Sequence, residues 1–321
     1  MSHHRVEVPA IVAAKAAAVP GGQTWATDLP GILTALERAW SIHITEPLPG
    51  GTASYVTRAR TTDGRPVVLK VAAPGTGFDQ QARTLTAAAG RGYVRILAYH
   101  ASHKAALLEA LGTSLHHTGL APTDQLTILG RCLRCAWRVP PAPGQEPQDK
   151  AASLSQLITD LWQRLDQPCS QQVLDYALTC AARRSAAFPT QVQAGTCVVV
   201  HGDATAANAA GVLTARTGTE DGFVLLDPDG FLGDPTYDLG VAVRDWCPQL
   251  MATTTPVKLL AGYCRLLAEQ TATDPVAVWE WGYLERVSTG LYALSFGAEE
   301  QALPYLRTAQ ALLDDRGASR M

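Results

Sequence analysis

The sequence predicts an α+β chain in two lobes, a small antiparallel sheet followed by a larger, mainly helical body. Three observations carry that reading. Strand-length runs crowd the stretch from Ser54 to Glu109. Beyond Gly112, apolar residues recur at helical spacing instead. The chain has 321 residues, 47% of them hydrophobic, which is enough material for two lobes. The lobes are expected at residues 1–111 and 112–321.

The first strong helical pattern runs from Ile32 to Ile42, where Leu33, Leu36 and Trp40 share an apolar face. Strands are expected at Ser54–Arg60 and Pro66–Ala72, flanking Asp63-Gly64, a pair suited to the left-handed angles of a tight hairpin turn. A short helix over Asp79–Ala89 follows, then strands at Tyr93–Tyr99 and Ala105–Glu109. In the second lobe, Leu126, Leu129, Leu133 and Trp137 repeat at helical spacing. So do Leu154, Ile158, Leu161 and Leu165, and then Leu174, Ala177, Leu178 and Ala181. The Pro-rich stretch Pro140–Pro147 reads as a surface loop between two of these helices. Strand character returns around residues 196–226. Helices resume to the end, one opening at Asp274-Pro275, an N-cap residue followed by proline at the first helical position.

Composition excludes several functions. Net charge is −3, from 26 basic and 29 acidic residues, so no global field recruits nucleic acid or an acidic membrane. No apolar run is long enough to span a bilayer, and Met1-Ser2-His3-His4-Arg5 does not open a signal peptide. Seven cysteines, an odd number, fit reduced thiols and a cytoplasmic location better than a disulfide framework. Cys132 and Cys135 have metal-ligand spacing but no second pair, and we read them as buried thiols on a helix. No nucleic-acid, membrane or protein partner is implied.

The most informative stretch runs from Cys197 to Asp227. A buried strand delivers a loop bearing His201, Asp203 and Asn208, a second strand departs, and a third returns to end at Asp227. Asp203, Asn208 and Asp227 therefore converge at the mouth of one hairpin. Carboxylate and amide oxygens are hard ligands of the kind Mg²⁺ takes when substrate phosphates complete its octahedron. The order His-x-Asp, four residues, Asn, then a strand-terminal Asp matches the catalytic loop and second metal residue of kinases. Asp203 would orient the attacking hydroxyl, while Asn208 and Asp227 would hold the metal. Upstream, Lys70 sits on a strand where a phosphate-binding lysine belongs. Gly50, Gly51, Thr52 and Ser54 stand where a nucleotide-covering loop would place free backbone N–H groups. Glu109 and Leu111 fall at a hinge whose backbone can bond adenine. A protein-kinase-like two-lobed fold is the expectation, with ATP and Mg²⁺ as cofactors.

These motifs resemble the aminoglycoside phosphotransferase family, and within it the streptomycin 6-kinase and hydroxyurea phosphotransferase group. His201-Gly202-Asp203 with Asn208 carries the wider likeness, and Asp227-Pro228-Asp229-Gly230 with Gly233-Asp234-Pro235-Thr236-Tyr237-Asp238 the narrower one. The resemblance implies ATP-dependent O-phosphorylation of an antibiotic hydroxyl, conferring resistance. It also implies that His201 and Asp238 brace the catalytic loop rather than take part in the chemistry. One departure stands out. The small-lobe helix of this group carries a Glu that pairs with the lysine, and here that position is Gln81, which can still accept a hydrogen bond from Lys70. An acceptor bearing guanidines calls for an acidic, aromatic cleft, and the candidates are Asp234, Trp246, Trp281 and Glu285. Two rival readings remain at this stage, a metabolic amino-sugar kinase and a catalytically silent nucleotide-binding scaffold.

Overall fold

The structure is a computed structural model and describes residues 8–17, 19–49 and 53–318. Two helices lead, α1 (Ala10–Ala17) and α2 (Gly22–Trp40). The apolar pattern at Ile32 is only the second half of α2, which starts at Gly22 and keeps Pro30 inside it. A proline in a helix interior costs about 3 kcal/mol. Trp25, Leu29, Leu33 and Leu36 offset that cost by burying one continuous stripe against the sheet. Ser41 then adopts a left-handed conformation and returns its N–H to the last carbonyls of the helix, ending it.

The first sheet comprises β1 (Ile42–Pro47), β2 (Ser54–Thr61), β3 (Pro66–Ala72), β4 (Ile96–His100) and β5 (Ala105–Glu109), in the order β1-β2-β3-β5-β4. All its pairings are antiparallel. Val67, Leu69 and Val71 of β3 face the core under α2. The two-residue period of a strand therefore turns Val68, Lys70 and Ala72 to the opposite face. The helix α3 (Phe78–Ala88) lies between β3 and β4 in sequence. Tyr93, expected at the head of β4, is not in it. Tyr93 instead bridges to Leu225 and its ring stacks on His201, so a tertiary contact wins over local strand preference.

The second body begins with β6 (Leu111–Ser114), followed by α4 (Pro122–Ala136), α5 (Lys150–Arg164) and α6 (Gln171–Gln193). Pro140–Pro147 is a connection between α4 and α5, as the sequence suggests. Four short strands come next: β7 (Val198–Val199), β8 (Ala209–Val212), β9 (Phe223–Leu225) and β10 (Leu232–Gly233). The expected hairpin is β8 with β9, and β6 joins its other edge. β7 pairs with β10. The chain closes with α7 (Pro235–Arg244), α8 (Cys247–Met251), α9 (Pro256–Thr271), α10 (Pro275–Ser295) and α11 (Glu299–Ala318). Asp274 caps α10 by accepting the N–H of Val276.

The main apolar cluster draws on helices α3–α11. Cys132 is buried in it, and burial pushes its thiol up to about 12. All seven cysteines are free. Among the described residues no helix is long and apolar enough to cross a membrane.

Candidate active site

The site is assembled where the loop after β7 meets the turn after β9. His201 is fully buried. Its Nδ1 accepts the N–H of Asp203 at 3.1 Å, so Nε2 carries the ring proton and donates it to the Leu226 carbonyl at 2.6 Å. The ring thereby ties the loop to the end of β9. Asp238, on α7 and fully buried, accepts the N–H groups of His201 and Gly202 and the indole N–H of Trp137, each at 2.8 Å. Burial pushes its carboxyl up, and those donors act in the opposite direction. Gly202 has φ +91, and a Cβ there would meet the Asp229 carboxylate at 2.5 Å, so only glycine lets the loop pass.

This bracing leaves Asp203 presented to the cleft, its side chain 47% exposed. Asn208 donates from Nδ2 to the Asp203 carboxylate at 2.8 Å and to its carbonyl at 2.9 Å. Arg244, at the end of α7, donates to the other carboxylate oxygen at 2.6 Å. Burial works to raise the Asp203 carboxyl, but the charge and hydrogen bond of Arg244, with Asn208, hold it below the ordinary carboxylate range. Asp203 is thus an ionised acceptor at neutral pH. Asp227 follows β9 with φ 57, a left-handed conformation that costs an L-residue roughly 1–2 kcal/mol. Lys70, only 8% exposed in its side chain, pairs with the Asp227 carboxylate at 2.6 Å.

Asp203, Asn208, Asp227 and Lys70 all line one cavity of about 780 Å³, together with Ser54 and Gln81. A second cavity of about 810 Å³ shares Lys70, Asn208 and Asp227 with it and extends to Glu109, Leu111 and Gly112. Both fall in the size range of small-molecule sites. Gly50, Gly51 and Thr52 lie outside the described residues. The Glu109 carboxylate does not face the cleft freely, because Arg216 clamps it and the N–H of Arg95 binds it at 2.8 Å. Gln81 lines the cavity without hydrogen bonding to Lys70. The lysine goes to the Asp227 carboxylate and sits 5.7 Å from the Phe78 ring centroid, since a charged acceptor outcompetes a neutral amide.

The four candidates for acceptor recognition are all buried in the helical body and none lines these cavities. Trp281 donates its indole N–H to Asp234 at 3.0 Å, and Asp234 caps α7 through Thr236. Glu285 accepts the Tyr237 hydroxyl at 2.7 Å and Arg244 at 3.0 Å. Trp246 donates to the Ala242 carbonyl at 2.9 Å. The polar residues that line the first cavity with Asp203 include Gln148, Asp229, Arg244 and Asp245. Of these, Gln148 and Arg244 carry no signal in the sequence. Arg244 sits six residues after Asp238 along α7, and nothing in spacing alone says that this helix end turns back to Asp203.

The donor set suits a hard divalent cation. Both bonds that Asn208 makes to Asp203 use its Nδ2, which leaves its amide oxygen as an acceptor in the cleft, beside the half-exposed carboxylate of Asp227. Among the described residues no group of three His, Cys, Asp or Glu side chains could hold a metal by itself. Mg²⁺ is a cation that one or two protein oxygens could hold, with phosphates and water completing the shell.

Comparison with known proteins places the chain in a family. Residues 39–297 match the family model described as aminoglycoside/hydroxyurea antibiotic resistance kinase. The streptomycin 6-kinase of Streptomyces glaucescens is 26% identical over 96% of this chain and 97% of its own. Among solved structures, the aminoglycoside phosphotransferase APH(3'')-Id of Streptomyces rimosus, in complex with ADP and streptomycin, superposes with a TM-score of 0.54. It is 16% identical and covers 81% of this chain and 98% of its own. The choline kinase LicA of Streptococcus pneumoniae gives a TM-score of 0.55 at 13% identity, over 88% and 99% of the two chains. These structural likenesses establish a kinase-like fold.

Proposed function

The chain belongs to the aminoglycoside/hydroxyurea antibiotic resistance kinase family, a phosphotransferase with an alcohol group as acceptor, and on that premise we propose that it transfers the γ-phosphoryl group of ATP to a hydroxyl of a streptomycin-like cationic antibiotic. One observation carries the reading: Asp203, Asn208, Asp227 and Lys70 meet in a single cleft, with Asn208 on Asp203 at 2.8 Å and Lys70 on Asp227 at 2.6 Å.

In this reading residues 1–111 hold the nucleotide and residues 112–321 carry catalysis and the acceptor. The backbone of Glu109–Leu111 would receive the adenine and Lys70 the phosphates, since all of them line one cavity. Asn208 and Asp227 hold Mg²⁺, which supplies charge neutralisation on the phosphate oxygens when bound. Asp203, kept ionised by Arg244, accepts a hydrogen bond from the acceptor hydroxyl and aligns its oxygen for attack. His201 and Asp238 keep the Asp203 loop in register. Asp203, Asp229 and Asp245 outnumber Arg244, which pairs with Asp203 and Asp245, so the remaining negative charge favours a cationic substrate. Phosphorylation adds negative charge to a cationic drug, which fits a resistance role in the cytoplasm, where ATP is available.

The test is Mg²⁺-dependent ATP consumption against streptomycin, other aminoglycosides, hydroxyurea and glucosamine, with mass spectrometry of the product. Phosphorylated streptomycin, absent with Asp203→Ala, is the expected result. Transfer only to glucosamine would move the assignment to amino-sugar metabolism, and no transfer to any of them would overturn it.

A further inference from the structure

The segment Asp227–Gly230 carries the metal-binding carboxylate yet belongs to no strand or helix. Asp227 and Gly230 are both left-handed, at φ 57 and φ 72. Such a segment holds its shape only through what is bonded to it. Two glutamines from distant parts of the chain converge on one of its atoms. Gln80, on α3, donates from Nε2 to the Gly230 carbonyl at 2.8 Å. Gln145, in the Pro-rich loop between α4 and α5, donates from Nε2 to the same carbonyl, also at 2.8 Å.

Both amides are oriented from behind. The Gln80 oxygen accepts from the Arg83 guanidinium at 2.8 and 3.2 Å. The Gln145 oxygen accepts the N–H of Ala142 at 3.0 Å. With each oxygen so occupied, each NH₂ is turned to Gly230, and the two donors fill both lone pairs of its carbonyl. The contact between the helix and the loop is also close. A Cβ on Gly230 would overlap the hydroxyl of Thr84, one turn along α3 from Gln80. The same helix carries Phe78, whose ring faces Lys70, and Gln81, which makes no bond to that lysine.

We propose that Gln80 and Gln145 are positioning residues for the Mg-nucleotide. They clamp the Gly230 carbonyl from two sides, fixing both the aim of Asp227 and the seat of α3 in a chain whose helix makes no ion pair with Lys70. The Pro-rich loop then has a function, which is to present Gln145. This inference rests on the phosphotransferase reading for its nucleotide and metal.

Calorimetric ATP affinity, measured with saturating Mg²⁺ and again in EDTA, tests it on the wild-type chain and on Gln80→Leu, Gln145→Leu and the double variant. Each single variant should lose about threefold to tenfold in Mg-ATP affinity, and the double variant more, with affinity in EDTA unchanged. Gln80→Glu keeps the contact with Arg83, which lies within α3, but it removes the N–H donor to Gly230. It should lose Mg-ATP affinity at least as much as Gln80→Leu does, with the chain still folded by circular dichroism and affinity in EDTA unchanged. Variants that bind Mg-ATP like the wild type would overturn the proposal. So would equal losses with Mg²⁺ and in EDTA, the mark of general loosening. A wild-type chain that binds Mg-ATP but phosphorylates no acceptor would count against the acceptor assignment alone.

Discussion

Two regions of this molecule hold the same kinds of residue and use them oppositely. The segment from His201 to Asp227 and the helix α10 each carry acidic side chains that their spacing brings together. In the first, Asp203 and Asp227 have half-exposed side chains in a cleft. In the second, Trp281 and Glu285 are 3% and 4% exposed and are partnered by Asp234, Tyr237 and Arg244. A loop braced between strands has backbone to spare for presenting side chains. Helix α10 is packed by α6, α7, α9 and α11, so its polar side chains must satisfy one another inside the core. Both regions carry acidic side chains, and the number of elements packed around each separates an exposed carboxylate from a buried one.

Substitutions can break or sharpen that contrast. The largest effect is expected at Asp203→Asn, a loss of about a thousandfold in kcat, or about 4 kcal/mol, with the chain still folded by circular dichroism. Trp281→Ala should do the reverse. It costs about 3 kcal/mol of stability in denaturant titration, while the folded fraction keeps the wild-type KM for the acceptor. A raised KM with unchanged stability would return Trp281 to the binding surface. Asp238→Asn lies between these two, because its carboxylate accepts N–H groups with both oxygens and an amide can do so with only one. Both stability and kcat should fall, by about 1–3 kcal/mol in the former.

The smallest effect is a shift in pH dependence. Arg244 lowers the Asp203 carboxyl against burial, which raises it. A carboxylate with a depressed folded pKa contributes stability above its unfolded pKa and loses it as pH falls through the folded one. Without Arg244 the largest influence that lowers this carboxyl is gone, so Arg244→Met should move the acid limb of the kcat/KM profile to higher pH. An unmoved limb would show that Arg244 does not set the ionisation of Asp203.

Much of the nucleotide side was legible because its signals are local. The β3 span Pro66–Ala72 and the hairpin of β8 and β9 follow from strand runs bounded by turn residues, and Lys70, Asp203, Asn208 and Asp227 keep a recognisable order along the chain. Gln81 was placed correctly on α3, but its partner was not, because the choice between an amide and the Asp227 carboxylate depends on how two lobes approach. The acceptor end was illegible for a related reason. Arg244, Asp229, Asp245 and Gln148 meet only after α7 has packed under the catalytic loop and the Pro-rich segment has folded back to Gly230.

The sequence by itself therefore determined the α+β, kinase-like class and the order in which Lys70, Asp203, Asn208 and Asp227 follow one another, since the first rests on contacts among residues close in the chain and the second on order alone. Tertiary structure alone decided which carboxylates face the cleft and which are buried as braces. It decided that Lys70 pairs with Asp227, and that one carbonyl on Gly230 gathers side chains from residues 80 and 145. Those outcomes depend on which surfaces are removed from water when the elements pack, and burial is a property of the assembled fold rather than of any segment of it.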